Sequence, residues 1–441
     1  MDLPEVDSKF RVVIIVGTRP EAIKLFPIIL EMKESKFLEP FVINTGQHRD
    51  LVQPVFDMAG ITPDVDLHAG DSPNTLNQLV AKVLDRADSI IEKESRGNNW
   101  FPTAAVIVHG DTSTAMAGAL TAIQEKRPVV HVEAGLRTGN ALSPFPEELN
   151  RQIISRIAAL HLAPTVTNLN NLVSEQIPAD RILVTGNTGI DALMWTARLE
   201  PEYADPRVAE VVKSDADVIV MTAHRREHWG GGLARIAQAV REVAEEKPEI
   251  QVIFPMHPNP KVREQVEPIL QEVPNVILTE PMEYAEFAHL LGRAKIAITD
   301  SGGIQEEAPS LGTPVLVTRE ETERHEGVEA GTLLLVGTET DSIRDAALLL
   351  LNDPVAYQTM AARPNPYGDG FASRRIIAAL ESIAFGESAP TAFGPSFSRN
   401  AVLEASGFDD APRTPYEEQR LAMGTDFSAV TYTGPERRQS Q

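Results

Sequence analysis

Three residues able to move a proton or hold an anion each fall just past an apolar run. Arg19 follows Phe10 to Val16, Asp111 follows Ala104 to Val108, and Glu133 follows Val129 to Val132. A fourth run, Ile296 to Thr299, delivers Asp300-Ser301-Gly302-Gly303 and then a helix-like stretch from Ile304 to Leu311, with Glu307 about one turn in. A strand that feeds a Ser-Gly-Gly turn into a helix leaves unpaired N–H groups at the positive end of the helix dipole, which suits a phosphate. Glycine lets that phosphate reach the backbone without meeting a Cβ. A carboxylate at 307 is placed to accept both hydroxyls of a ribose. The chemistry these residues suggest is the handling of a phosphorylated, sugar-containing ligand by carboxylates and cations.

The elements that must position them alternate strand and helix through both halves of the chain. Phe10–Val16, Glu39–Asn44, Ala104–Val108, Val129–Val132 and Arg181–Val184 read as strands of the first half. Val218–Met221, Gln251–Phe254, Val276–Thr279, Ile296–Thr299 and Val315–Val317 repeat the pattern in the second. Continuous apolar runs between helices predict parallel strands covered on both faces, and ligands of such sheets lie beyond the strands' carboxyl ends. The GxGxxG spacing of a dinucleotide site is absent from the first turn, Gly17-Thr18-Arg19-Pro20-Glu21. Arg19 and Lys24 can both reach into a cleft from that turn, and His224 ends a strand of the second half. The expected fold class is α/β, two Rossmann-like domains with a central cleft. Residues 10–186 form the first domain, completed by about 371–386. Residues 187–370 form the second, and 387–441, rich in Ser, Pro, Gly and Thr, are expected to be a disordered tail.

Composition bounds the function. The 441 residues are 42% hydrophobic and 23% charged, with no cysteine and a formal charge of −23. The missing thiols exclude disulfides, thiolate metal sites and a cysteine nucleophile. Residues 387–441 carry 8 acidic and 5 basic groups, so the acidity is spread over the folded body and does not sit in a tail. A broad nucleic-acid or anionic-membrane surface is therefore excluded, and any anion site is local. No apolar run reaches the length of a membrane span and Met1–Lys9 lacks a signal-peptide pattern, so a cytoplasmic protein is expected.

Taken together, GTRPEAIK at 17–24, TGQH at 45–48, HGDT at 109–112, HVEAGLRTG at 131–139, SPFPEELNR at 143–151, HRRE at 224–227 and TDSGGIQEEAPSLGTPVL at 299–316 resemble the non-hydrolysing UDP-N-acetylglucosamine 2-epimerases. The resemblance spans Phe10 to Phe385. It implies a glycosyltransferase-B-like fold whose final helix crosses back to the first domain, a homodimer, and no cofactor, neither NAD nor a required metal. It implies interconversion of UDP-N-acetylglucosamine and UDP-N-acetylmannosamine for cell-surface polysaccharide synthesis. Carried over motif by motif, Arg19, Lys24, Asp111, Glu133, Glu147 and His224 correspond to active-site positions. Phe287, Ser301, Gly302, Gly303, Glu307 and Arg324 correspond to the UDP pocket, to which Arg19, Lys24 and His224 also contribute. Gln47 and His48 match part of a second, allosteric site found in some members, but Pro73 and Asn74 stand where its Arg-Gln pair is expected. His325 replaces an expected Pro after Arg324, and Met282 stands where some members have Gln.

Inverting carbon 2 of such a sugar requires removing a proton that no neighbouring carbonyl acidifies. Partial departure of UDP places positive charge on carbon 1 and makes that proton acidic. Loss of both gives a glycal, and re-addition from the other side completes the change. The leaving diphosphate needs cations and a helix start, and the two faces of the ring need more than one acid or base. Asp111, Glu133 and Glu147 are the candidates. Ion pairing with Arg137 and Arg151 is the competing use of these carboxylates, open to Glu147 and not expected for Asp111 or Glu133. A glycosyltransferase of the same fold, a hydrolysing epimerase and a nucleotide-sugar sensor are the other functions compatible with the turn and Glu307.

Overall fold

The computed structural model describes residues 9–71, 75–95 and 105–407. Seven strands, β1 (Phe10–Val16), β2 (Leu38–Asn44), β3 (Val65–Asp66), β4 (Val106–His109), β5 (Val129–Val132), β6 (Leu160–Ala163) and β7 (Ile182–Val184), form one sheet. Six more, β8 (Val218–Thr222), β9 (Gln251–Pro255), β10 (Val276–Thr279), β11 (Ala294–Thr299), β12 (Val315–Val317) and β13 (Leu333–Leu335), form a second. Every pairing is parallel, in the orders β3-β2-β1-β4-β5-β6-β7 and β10-β9-β8-β11-β12-β13. The order reverses between β1 and β4 in the first sheet and between β8 and β11 in the second. At these two switch points the crossovers run to opposite sides and leave a crevice at the carboxyl ends. The crevices hold Gly17–Arg19 with His109–Asp111, and His224 with Asp300–Gly303.

Both faces of each sheet are covered, as the unbroken apolar strands require. Ile14 and Val16 pack into one core with the helices Arg19–Glu34 and Ala372–Phe385. Val13 and Ile15 pack into another with Leu76–Ser95 and Ser113–Gln124. The small residues of the last helix bring it close: a Cβ on Gly118 would lie 2.4 Å from Ile15 Cδ1.

The chain crosses between domains twice, and the crossings touch. Asn187 N–H donates to Tyr367 O at 2.8 Å, and a Cβ on Gly186 would sit 3.3 Å from Gly368 Cα. After the first crossing the helix Thr188–Thr196 sits between the two bodies, Ala192 packing in the first domain's core and Leu193 in the second's. After the second, the helix Ala372–Phe385 returns to the first domain, where Phe385 meets the rings of Phe10 and Phe37. Its start is held by Asp191, which accepts from Ala372 and Ser373 N–H. Arg375 ties the crossings together, donating to Thr185 O at 3.0 Å and to both oxygens of Asp369. This is the expected glycosyltransferase-B-like architecture.

The expected tail needs correction over its first part. Residues 387–407 are built onto the first domain, ending in the helix Arg399–Ala405, whose Val402 and Leu403 are buried. Pro395 O accepts from Val184 N–H at the edge of β7, Arg375 donates to Thr391 O, and its guanidinium lies 5.0 Å from the Phe393 ring. A few apolar residues in a polar segment are enough once a ready face exists, and composition alone misses them. Residues 408–441 lie outside the described residues. Among the described residues no helix is long and apolar enough to cross a membrane.

Candidate active site

The turn after β1 is shaped by a buried carboxylate. Glu21 accepts N–H from Gly17 and Thr18 and the hydroxyl of Thr112, closing a capping box at the start of the helix Arg19–Glu34. Burial raises the Glu21 pKa against the pull of those donors. Arg19 is the first residue of this helix, and Lys24 follows more than one turn later on a half-buried face. Lys24 pairs with Glu133. Glu133 lies one residue beyond β5 with φ of 61°, a left-handed conformation seldom taken by a side chain of this size. Such strain collects where a side chain must be aimed. His109 Nε2 lies 3.4 Å from the same carboxylate oxygen. Burial would raise the Glu133 pKa, but the adjacent Lys24 and His109 hold it well below the carboxylate range.

Asp111 and Glu147 are joined through one helix. Gly110, at φ 65°, turns the chain out of β4, and its carbonyl accepts from His131 Nε2 at 2.8 Å. Burial keeps His131 neutral by lowering its pKa to about 4. The helix Glu147–Ile157 docks on this turn: Asn150 donates to Asp111 O, and Arg151 Nε donates to Asp111 Oδ2 at 2.8 Å. Arg151 also donates to Glu148, which is fully buried. The expected distribution of ion pairs is thus corrected. Arg151 pairs with Asp111 and Glu148, Arg137 pairs with Glu175, and Glu147 takes neither arginine. The preceding loop sets this: three residues on from Glu148 along a helix lies Arg151, on the same face. Glu147 presents a buried Oε2 with no hydrogen-bond partner among the described residues.

The second domain supplies the opposite wall. Ser301 caps the helix Gly302–Glu307 with no side-chain hydrogen bond, so the first N–H groups remain open. The helix is shorter than its apolar pattern suggests, because Pro309 converts Ala308–Leu311 to a 3-10 turn. Arg324 lies over Gly302, where a Cβ would come within 3.1 Å of its guanidinium carbon, and it pairs with Glu306 at 2.8 Å. Glu306 also accepts from Asn187 at the crossing. Phe287, in the helix Tyr284–Arg293, packs with Met282 beside the second core. His224 follows β8, and its ring stacks on His257 with centroids 5.6 Å apart.

The two walls meet at Gly189. A Cβ there would lie 3.6 Å from both Lys24 Cε and Glu307 Oε1. Burial and the charges of Glu306 and Glu133 push the Glu307 carboxyl up to about 8 against the pull of Lys24. Burial opposes the charge on Lys24, and Glu133, Glu306 and Glu307 more than restore it. Lys24, Glu133 and Glu307 are therefore brought together, although they come from different domains. Gln47 and His48 are not part of that group. Gln47 accepts from Thr114 Oγ1 behind the first turn, and His48 is exposed at a helix start. Pro73 and Asn74 lie outside the described residues.

Sequence reasoning passed over Glu306, Arg151 as partner of Asp111, His109, and Asp300. Asp300 is fully buried and receives His224 and Arg225 N–H. Its place immediately before Ser301 was the available signal. Among the described residues no group of three or more His, Asp or Glu side chains is arranged to hold a metal ion.

Comparison with known proteins gives one consistent result. Residues 30–381 match the family model described as UDP-N-acetylglucosamine 2-epimerase. The UDP-N-acetylglucosamine 2-epimerase of Bacillus subtilis is 45% identical over 373 residues, covering 85% of this chain and 95% of the relative. The crystal structure of the Neisseria meningitidis UDP-GlcNAc 2-epimerase bound to UDP-GlcNAc superposes with a TM-score of 0.76 at 41% identity, covering 84% of this chain and 99% of the other. That of the Methanocaldococcus jannaschii enzyme does so at 0.72 and 32% identity, covering 84% and 99%.

Proposed function

The chain belongs to the UDP-N-acetylglucosamine 2-epimerase family, and from that premise we propose that it interconverts UDP-N-acetylglucosamine and UDP-N-acetylmannosamine without hydrolysis, by elimination and re-addition of UDP through a glycal. The observation that carries the reading is the meeting of Lys24 and Glu133 from one domain with Glu307 of the other around Gly189. A single diphosphate sugar spanning that gap sets its uridine against the Ser301–Gly303 helix start, with Glu307 at the ribose and Phe287 at the base. Arg19, Lys24, His224 and Arg324 neutralise the diphosphate as it departs. One well-placed donor of this kind contributes about 3 kcal/mol at comparable oxyanion sites.

Division of labour among the carboxylates follows from their surroundings. Glu133, held ionised by Lys24 and His109, is a poor proton acceptor and a good neighbour for the positive charge that grows at carbon 1. Proton removal and delivery are assigned to Asp111, in the β4 turn, and Glu147, at the start of the helix docked on it. A homodimer, a cytoplasmic location and supply of cell-surface polysaccharide synthesis belong to the same proposal.

Incubation with UDP-N-acetylglucosamine in D2O tests it. Deuterium at carbon 2 of a sugar still linked to UDP is the expected result. Free UDP with N-acetylmannosamine would instead assign a hydrolysing epimerase. Unchanged substrate would leave transfer to an acceptor or sensing.

A further inference from the structure

Asp300 has no part in the roles assigned so far, yet it is the most engaged carboxylate of the second domain's crevice. It lies at the switch point between β8 and β11 and is fully buried. Oδ2 accepts N–H from His224 and Arg225, each at 2.8 Å, and lies 3.2 Å from His228 Nδ1. Oδ1 lies 3.2 Å from Nδ1 of His224. The same imidazole is stacked on His257 at an interplanar angle of 12°. Its ring is 40% exposed, and Nε2 has no protein partner among the described residues. The His224 ring thus faces on one edge a buried carboxylate oxygen that has no other hydrogen-bond partner among the described residues, and on one face a second ring.

We propose that Asp300 is a positioning residue of the active site, holding a proton on His224 Nδ1 so that Nε2 is presented to the departing diphosphate and can carry a second proton there. The inference rests on the epimerase reading for the identity of the ligand, but the His224–Asp300 geometry stands without it. A carboxylate is a pure acceptor, so a ring facing it must be the donor at Nδ1. An amide in its place offers both an oxygen and an N–H. Asp300→Asn keeps an oxygen for the two backbone N–H groups and turns an N–H toward His224, which moves the ring proton to Nε2 and denies the ring its second proton. A carboxylate serving only to tie the turn 223–228 to β11 would leave the reaction indifferent to that change.

The test uses histidine labelled with 15N in the full chain. In the wild type, His224 is expected with its proton on Nδ1, and in Asp300→Asn on Nε2. With UDP-N-acetylglucosamine as substrate, kcat of the variant falls about 100-fold, in the range lost when a general acid is in the wrong state. KM changes less than about 3-fold, since the ring's second proton matters as the diphosphate departs and not in the bound substrate. In a His224→Gln background, Asp300→Asn costs less than about 2-fold, because the group it acts through is gone. A wild-type His224 protonated at Nε2 alone would overturn the proposal without recourse to any variant. So would an equal loss of kcat from Asp300→Asn in both backgrounds. Absence of carbon-2 exchange in the wild type would defeat the epimerase reading and leave the tautomer measurement to decide the role of Asp300.

Discussion

Replacing Arg151 by methionine separates Asp111 and Glu148 from a cation they share. Arg151 is 7% exposed and donates to Asp111 Oδ2 at 2.8 Å and to Glu148 Oε2 at 3.0 Å. Methionine fills the stem's volume but leaves Glu148, with no exposed surface, dependent on Thr138 N–H, Gly139 N–H and Gln152. Breaking a buried pair by removing one partner costs about 3–5 kcal/mol, most of it the penalty of the stranded charge. The pH dependence identifies that penalty. In the wild type, burial raises the Glu148 pKa but the bonds from Thr138 N–H, Arg151 and Gln152 hold it below the usual range. Its ionised form therefore contributes stability that is present above the unfolded value of 4.5 and lost as pH falls through the lowered folded value. In the variant Glu148 takes up a proton instead, so the deficit is largest near pH 8 and shrinks by about 1.4 kcal/mol per unit once that proton binds. Urea denaturation at about pH 8 and about pH 5, with linear extrapolation, measures both numbers. Carbon-2 deuterium exchange should fall while UDP binding, by calorimetry, is retained, because Arg151 also aims Asp111. A deficit under about 1 kcal/mol at the higher pH, or one equal at both, would refute the reasoning.

Three further outcomes are expected. Glu307→Gln should stabilise the ligand-free protein relative to wild type progressively between pH 4.5 and about 8, because a carboxyl raised to that value keeps its proton in the folded state and loses stability as pH rises; the gap reaches at least about 2 kcal/mol, read as a pH series of denaturation curves. Gly135→Ala places a Cβ 2.2 Å from Asn168 O at φ 95°, two residues from Glu133, and should cost about 3 kcal/mol together with most of the exchange rate. Leu403→Ala should cost about 2–3 kcal/mol with unchanged KM, and no loss at all would mean that the extension does not hold to the first domain in solution.

Much of this molecule could be read from residue order. The strands at 10–16, 251–255 and 276–279 stand out because each carries an unbroken run of three or more apolar residues, as burial on both faces requires. Leu160–Ala163 goes unassigned, since no glycine or proline parts it from the preceding helix. Val65–Asp66 and Leu333–Leu335 are too short to show a period. The helices Val166–Ser174, Pro206–Lys213 and Pro260–Leu270 went unseen, their starts marked only by Thr165, Asp205 and Asn259 caps. The site shows the same division. Glycine turns and strand-end charges are local and legible. The pairings of Lys24 with Glu133 and of Arg151 with Asp111 join segments far apart in the chain, and only the closed sheet decides which partner is within reach.

The clasp at Arg375 has a mechanical consequence. One guanidinium grips the outgoing strand end at Thr185, the returning loop at Asp369 and the extension at Thr391, so both crossings are pinned at one residue. Hinged proteins move by swinging about such a point and not by sliding past one another. Gly189 lies only two residues past Asn187, so Lys24 and Glu307 flank the chain's first crossing between the lobes. A ligand that bound both lobes would therefore meet Lys24 and Glu307 beside the crossing, where a swing of one lobe against the other would change their separation least.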